Sequence, residues 1–219
     1  KAAAGRVDRA PQAGDPGTYN QFWSDGGTKV VSTRQTSLVV EPADGRVPLT
    51  KWAEEKRDYG LNHVADTYEN MTTWDRCITR GIPAGMFPAG YNNSYQIFQT
   101  PGFVTILYEM IHEARVIPLN SPHLPASVRQ WNGDSRGHWE GDTLVVESVN
   151  FVKNTWFGEL GYMHSDAMKV TERLWRFGEN LAYQVIVDDP KVLTQPWVKA
   201  PQVIKPSTEL LMETPDCVE

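Results

Sequence analysis

Residues 91–151 contain the pattern that decides the fold, and they read YNNSYQIFQTPGFVTILYEMIHEARVIPLN (91–120), SPHLPASVRQWNGDSRG (121–137) and HWEGDTLVVESVNF (138–151). The first part is rich in β-branched and aromatic residues, and the turn sequence Thr100-Pro101-Gly102 interrupts it. The last part alternates apolar and polar residues on both sides of Gly141-Asp142. We therefore predict two hairpins joined by a long polar loop.

The second arm of the first hairpin, residues 103–119, is longer than an ordinary strand, so we expect a bulge or bend near residues 111–114. Before that point, regular strand geometry places Val104, Ile106 and Tyr108 on one face. Short apolar runs bounded by Gly, Pro, Asn and Asp predict the other strands, at residues 30–33, 36–40, 95–99, 136–140, 143–150, 167–177, 181–189 and 197–204.

Helical signals are confined to one short segment. Residues 51–59 form the best helix candidate, with Thr50 as its N-cap. Hairpin-linked strands with a single short helix favour a mainly β fold, which we predict to be an antiparallel meander barrel of lipocalin-like shape, with a β-sandwich as the alternative. We expect an extended N-terminal arm (1–17), one β-rich domain (18–206) with long irregular N-terminal segments, and a C-terminal tail (207–219).

The net charge of the chain indicates which kinds of binding partner are unfavourable. A formal net charge of −6 and a pI near 5.4 argue against nucleic acid or an anionic membrane as the main partner. No apolar run reaches the roughly 18 residues of a membrane-spanning helix, so we expect no membrane span. The chain also contains eight Trp and eight Tyr, which suit an aromatic-lined ligand pocket and which also fill cores.

The two cysteines, Cys77 and Cys217, lie far apart in the sequence. In an exported protein they could form a disulfide that closes a loop of about 140 residues, which the chain-entropy model values at roughly 4 to 5 kcal/mol. Two unrelated thiols are the alternative. The five His show no metal-binding spacing, so we predict no metal and no cofactor.

Three residues are candidates for acid–base catalysis. Glu109 and His112 have the Glu-x-x-His spacing, which would place them on one face of a helix but on opposite faces of a regular strand unless a bulge intervenes. Glu172 would be a buried carboxylate if Val170 and Leu174 face inward. Such a carboxylate needs a cationic partner, for which we expect Arg129 or Arg136. Ordinary salt bridges are the competing interpretation.

The candidates for ligand binding lie on the polar loop and beside the first hairpin. Arg with Trp is a common pairing for gripping an anionic or aromatic ligand, and amides with phenols suit a sugar or a phenol. The candidate ligand-binding residues are Tyr91, Asn93, Tyr95, Arg129, Trp131, Asp134, Arg136 and Trp139. The alternative is a long connection whose polar groups bond to their own turns.

The segments TSLVVEPADGRVP, YNNSYQIFQTPGFVTILYEMIHEARVIPLN and VRQWNGDSRGHWEGDTLVVESVNF, with SDAMKVTERLWRF and VIVDDPKVLTQPW downstream, resemble a large group of uncharacterised bacterial proteins predicted to be exported. The resemblance covers residues 36–206. It implies a bacterial origin and a periplasmic or extracellular location, and it transfers no catalytic residues to this chain.

Two functions follow as expectations. The first is a secreted, barrel-like protein that binds a small aromatic or carbohydrate-derived ligand. As an enzyme it would be a cofactor-independent lyase, isomerase or hydrolase that uses Glu109 or Glu172 with His112, and Arg136 as an anion clamp. The second is a structural subunit of an extracellular homomeric assembly, in which the N-terminal arm pairs with the sheet edge of a neighbouring copy.

Overall fold

The computed structural model describes residues 37–89, 92–152, 155–156, 162–208 and 211. The predicted arm (1–17), the predicted strand at 30–33 and most of the tail (207–219) lie outside the described residues. Short 3₁₀ turns occupy Tyr68–Asn70, Ala84–Met86 and Met110–His112. The longer elements are α1 (Lys51–Asn62), β1 (Val39–Glu41), β2 (Tyr95–Thr100), β3 (Phe103–Tyr108), β4 (Ala114–Pro118), β5 (Asp134–Glu140), β6 (Thr143–Val149), β7 (Thr155–Trp156), β8 (Met163–His164), β9 (Lys169–Phe177), β10 (Asn180–Asp188), β11 (Trp197–Lys199) and β12 (Gln202–Ile204).

The largest sheet has seven strands in the order β1-β11-β10-β9-β6-β5, and β12 also pairs with β10. Every pairing in it is antiparallel. The hairpins β5–β6 and β9–β10 are the ones that the alternating sequence predicts. The strand expected at 197–204 is two strands, because Ala200-Pro201 interrupts it.

The second sheet is three-stranded, in the order β2-β3-β4. The bend expected near residues 111–114 is a complete reversal of the chain, so the long arm is itself a hairpin of β3 and β4. Ile111 and His112 make this turn with φ angles of 61° and 50°. A β-branched residue rarely adopts that backbone conformation.

The single α-helix agrees with its sequence signals. The Oγ1 of Thr50 accepts a hydrogen bond from Ala53 N at 3.3 Å, as an N-cap does. The helix runs past the predicted residue 59 to Asn62, and His63 N closes it on Gly60 O. Within the described residues, no helix has the length and apolar character that a membrane crossing requires.

The inner faces of the two larger sheets pack against each other. Val104, Ile106 and Tyr108 of β3 belong to one buried cluster with Val146 of β6 and Val185 of β10. A parallel bridge between Leu119 and Gly137 joins the end of β4 to β5. Among the described strands no sheet closes on itself. The structure confirms a mainly β, antiparallel fold with one α-helix, and closure into a barrel stays a prediction.

Candidate functional site

A cavity of about 1270 Å³ lies between the two larger sheets, where β2 approaches β12. Its walls are the inward side chains of β3, β6, β9 and β10, which carry Val104, Ile106, Leu144, Leu174 and Leu181. The edge strands β2 and β12 form opposite sides of the opening of the cavity. The cavity is therefore an unfilled space between the described parts of the two sheets.

Strand β2 shows this most directly. Its register pairs Tyr95 with Tyr108 and Ile97 with Ile106, so Tyr95 and Ile97 share the inward face of β3. Ile106 is 1% exposed, yet Ile97 beside it is 39% exposed. Ile97 lines the cavity, as do Tyr95 and the next inward residue, Gln99. An inward apolar position that remains this open faces a space that a ligand could occupy.

Aromatic rings and amides surround that space. Burial raises the pKa of the Tyr95 phenol, so it stays neutral at physiological pH and offers an O–H group. Its ring meets the ring of Tyr108 edge to face, with 6.3 Å between the centroids. The lining also includes the rings of Phe87, Trp139 and Trp175 and the side-chain amides of Asn93, Gln96, Gln99, Asn180 and Gln202.

Lys199 lies directly behind the cavity wall. Its side chain is on the inward face of β11, two residues from buried Trp197, and it is only 1% exposed. Its Nζ donates to Gln202 Oε1 at 2.7 Å and lies 5.2 Å from the centre of the Phe87 ring. Burial lowers the pKa of Lys199 to about 8. Gln202 in turn donates through Nε2 to Met86 O at 2.9 Å, which fixes its amide orientation.

A buried polar layer lies deeper between the sheets. Arg115 of β4 donates to Glu172 of β9 at 3.1 Å and 2.5 Å through its two terminal nitrogens. The same guanidinium donates to Ser135 Oγ at 3.0 Å and to Ser148 Oγ at 2.9 Å. Tyr183 donates its O–H to Glu172 Oε1 at 2.9 Å. All five side chains are buried.

The electrostatics of this layer are those of a closed ion pair. Burial disfavours a charged Arg115, but the adjacent Glu172 carboxylate outweighs this effect and raises the pKa of the guanidinium. Burial and then the same carboxylate raise the pKa of Tyr183 well above its usual value. Glu172 is thus the inward carboxylate that the sequence predicts. The expected partner was wrong, because Arg115 pairs with it and Arg129 and Arg136 bond elsewhere.

The other two catalytic candidates are in different surroundings from Glu172. Buried Glu109 accepts a hydrogen bond from Ser94 N through Oε2 at 3.1 Å, while its own N–H donates to Ser94 O at 2.9 Å. His112 is exposed on the turn that joins β3 to β4. The structure therefore places Glu109 against the backbone before β2, His112 at the surface and Glu172 in the buried layer.

The polar loop is tied to the sheet by its own charges. Buried Asp134 accepts a hydrogen bond from Leu124 N at 2.8 Å, forms an ion pair with Arg136 Nη2 at 2.8 Å and meets His123 Nδ1 at 2.9 Å. Arg129 donates to Phe151 O at 3.1 Å. These contacts correspond to the alternative interpretation, in which the loop is a hydrogen-bonded connection.

The eight ligand-binding candidates thus divide into four groups. Asn93, Tyr95 and Trp139 line the cavity, and Asn93 also bonds in both directions with the backbone of Ala89. Arg129 of the loop and Asp134 and Arg136 of β5 make the structural contacts described above, and Trp131 is exposed. Tyr91 lies outside the described residues. The cavity therefore unites Asn93, Tyr95 and Trp139 and leaves out the candidates on the loop and at the start of β5.

Sequence reasoning missed Arg115 and Lys199. Both follow the strand alternation, since Arg115 lies two residues from buried Ile117 and Lys199 two residues from buried Trp197. That alternation could have marked them as buried charges. Cys217 lies outside the described residues, so its pairing with Cys77 stays a prediction. Within the described part of the chain, no three His, Cys, Asp or Glu side chains come together as metal ligands.

Comparison of the chain with protein-family models, with curated proteins and with solved structures finds no match. The resemblance to exported bacterial proteins, and the periplasmic or extracellular location that it implies, accordingly stay predictions.

Proposed function

We propose that this protein is an exported, barrel-like protein that binds a small aromatic or carbohydrate-derived ligand in the cavity between β2 and β12. The observation that carries the proposal is Ile97, an inward-facing apolar side chain that is 39% exposed because no described residue fills the space in front of it. Leaving such a surface open is unfavourable by about 25 cal/mol for each Å² of apolar area. A ligand that covers it recovers that free energy.

The chemistry of the lining indicates the ligand class. Aromatic faces stack on sugar rings and on aromatic rings, while side-chain amides and the neutral phenol of Tyr95 satisfy hydroxyl groups. The volume of about 1270 Å³ exceeds the roughly 300 to 1,000 Å³ that is usual for small-molecule sites, so a two-ring ligand fits within it. The proposed location outside the cytoplasm rests on the sequence resemblance.

Binding is better supported than catalysis. The Glu172 carboxylate is neutralised by Arg115, and Glu109 is engaged with the Ser94 backbone. His112 is exposed on a turn, and Arg136 is paired with Asp134. A cofactor-independent lyase, isomerase or hydrolase would need some of these groups at the cavity. None of these four side chains lines it.

Two adjacent residues of β2 provide the test. Ile97 faces the cavity, whereas Phe98 points to the outer face with a similar exposure of 43%. Binding of two neutral probes, 2-naphthamide and cellobiose, would be measured by calorimetric titration. We expect at least one probe to bind, Ile97→Trp to weaken it at least roughly tenfold by filling the cavity, and Phe98→Trp to leave it unchanged. Absence of binding by both probes, or equal effects of the two substitutions, would refute the proposal.

A second candidate function is self-association, which the outer face of the small sheet favours. Phe98, Phe103 and Val116 are all more than two-fifths exposed there, on adjacent strands. Contiguous apolar surface of this kind is typical of interfaces. If the chain is a subunit of an extracellular homomeric assembly, analytical ultracentrifugation should show multimers that Phe98→Ser with Val116→Ser dissociates. A full-length protein that stays monomeric at high concentration would contradict this function.

A further inference from the structure

The ammonium group of Lys199 is buried without a carboxylate. In the described part of the chain its contacts are the Gln202 side-chain oxygen and the face of the Phe87 ring, and no carboxylate lies within 4.0 Å of it. Another buried cation, Arg115, has Glu172 as its partner. An ammonium offers three N–H donors, and burying it unpaired is costly. Its N–H donors thus have one hydrogen-bond acceptor and no opposite charge among the described residues.

Both groups that touch Lys199 belong to the cavity wall. Phe87 and Gln202 line the cavity, so the ammonium is one side chain away from the ligand space. The Gln202 side chain separates the ammonium from the ligand space, and uncovering the ammonium requires rotation of that side chain and loss of its bond to Met86 O. A ligand group that replaces the Gln202 oxygen would meet Lys199 directly.

The charges around the cavity leave Lys199 unbalanced. The described lining has two acidic residues, Asp142 and Glu179, and two basic residues, Arg176 and Lys205, which cancel. Lys199 adds one positive charge behind the wall. The charges at and behind the lining thus leave a local excess of one positive charge, whereas the chain as a whole has a net charge of −6. Such a region attracts an anion.

We propose that the ligand of this cavity carries a carboxylate and that this carboxylate pairs with the Lys199 ammonium. The inference rests on the proposed binding function and specifies its ligand as an aromatic acid or a sugar acid. The apolar or hydroxylated body of the ligand lies along β2 and β3, and its acid group displaces the Gln202 oxygen. A charge-assisted hydrogen bond in a buried site strengthens binding at least roughly tenfold over a neutral partner.

Matched acid and neutral probes test the inference. The pairs are 2-naphthoate with 2-naphthamide and cellobionate with cellobiose, each titrated into the full chain at pH 7. We expect the acid of the pair that binds to have an at least roughly tenfold lower Kd. Lys199→Met should abolish this preference and leave binding of the neutral probe in place. Lys205→Met removes a positive charge from the rim and should keep most of the preference.

The unmodified protein gives an independent measurement. The pKa of Lys199 is about 8 in the ligand-free protein. The preference for the acid should therefore fall as the pH rises from 7 to 9 and Lys199 loses its charge. Burial keeps Tyr95, the titratable group that shares Gln202 with Lys199, neutral over this range. Equal affinity for acid and neutral probes, or a preference that survives Lys199→Met, would overturn the inference while the binding function stands. Binding of no probe at all would overturn both.

Discussion

Arg115 of β4 and Glu172 of β9 form a two-pronged ion pair across the interior, 57 residues apart in sequence, and Ser135, Ser148 and Tyr183 complete its hydrogen bonds. Each oxygen of the carboxylate faces one terminal nitrogen of the guanidinium. The pair links the three-stranded sheet to the seven-stranded sheet. Loss of either member would leave an uncompensated charge between them.

Arg115→Met should lower the free energy of unfolding by about 3 to 5 kcal/mol, because it leaves the Glu172 carboxylate buried and unpaired. The double variant Arg115→Met with Glu172→Met should lose much less, since it removes both charges. Urea unfolding at pH 7 measures both. Lys169→Met, which breaks the surface pair with Glu147 between β9 and β6, is the matched control and should change stability little. A double variant less stable than the single one would contradict this account.

Lys199 should make stability depend on pH in a defined window. Its pKa is about 8 in the folded protein and 10.5 in its ordinary state, so the unfolded chain binds more protons between these values. The folded state therefore gains stability as the pH rises from 8 towards 10.5. At pH 7, Lys199→Met should be more stable than the unmodified protein by up to about 3 kcal/mol.

The comparison of these two proteins at pH 7 and pH 9.5 checks the sign. We expect the difference in unfolding free energy to shrink by roughly half or more at the higher pH. Burial also raises the pKa of Tyr95 and Tyr183, which costs stability above pH 10, but both proteins share that effect. A difference that stays constant would show that Lys199 has an ordinary pKa.

Asp134 should control the order of the polar loop. Its carboxylate holds Leu124 N, Arg136 and His123 at once, so Asp134→Ala releases residues 121–133 from the sheet. Limited digestion with trypsin should then cut after Arg129 much faster than in the unmodified protein. Asp142→Ala, on the open hairpin turn between β5 and β6, should leave the digestion pattern unchanged. Equal protection in both variants would show that other contacts hold the loop.

Two glycines with similar backbone angles should respond differently to substitution. Gly133 and Gly141 have φ angles of +66° and +59°, so an alanine at either position costs about 1 kcal/mol for the left-handed conformation. At Gly133 a Cβ would also lie 2.6 Å from Val149 O and 2.9 Å from the Phe151 ring, whereas at Gly141 it meets nothing within 4 Å. Gly133→Ala should therefore lower the thermal midpoint considerably more than Gly141→Ala. Similar midpoints would contradict the close contact.

The hairpins were predictable because local alternation determines them. The segments around Gly141 and Gly178 alternate inward apolar with outward polar residues, and both turns contain a glycine at positive φ. The β3–β4 reversal was not predictable in the same way. Its first turn residue, Ile111, is a poor former of left-handed backbone, and distant groups stabilise the turn.

Only the folded structure identifies the distant groups that stabilise this turn. Trp74 donates to the sulfur of Met110 at 3.0 Å, and Glu113 accepts a hydrogen bond from Thr79 at 2.6 Å and another from Asn132. Each contact spans at least nineteen residues. A local sequence pattern does not contain such information. The chain therefore reads as one long strand with a bend where it is in fact a hairpin.

The candidate site was predictable to a similar degree. Asn93, Tyr95 and Trp139 line the cavity, as their residue types near the first and second hairpins suggested. Arg129 and Arg136, by contrast, make contacts that hold the polar loop in place. Glu172 was correctly placed inside, but its partner came from a strand whose direction was unknown until the reversal at Ile111 was seen. In each case the sequence alone does not show which distant residues pair with each other.

Because the inner side of β2 is exposed, hydrogen exchange along this strand can report whether a ligand occupies the cavity. Among the described strands β2 pairs only with β3, and five of its six residues are exposed, so its amide protons should exchange with deuterated solvent sooner than those of β9 or β10. Anything that settles in the cavity covers Tyr95, Ile97 and Gln99 and should slow that exchange. Amide exchange along six residues can thus reveal an unknown natural ligand in a cell extract, whatever its chemistry, without a label or an activity assay.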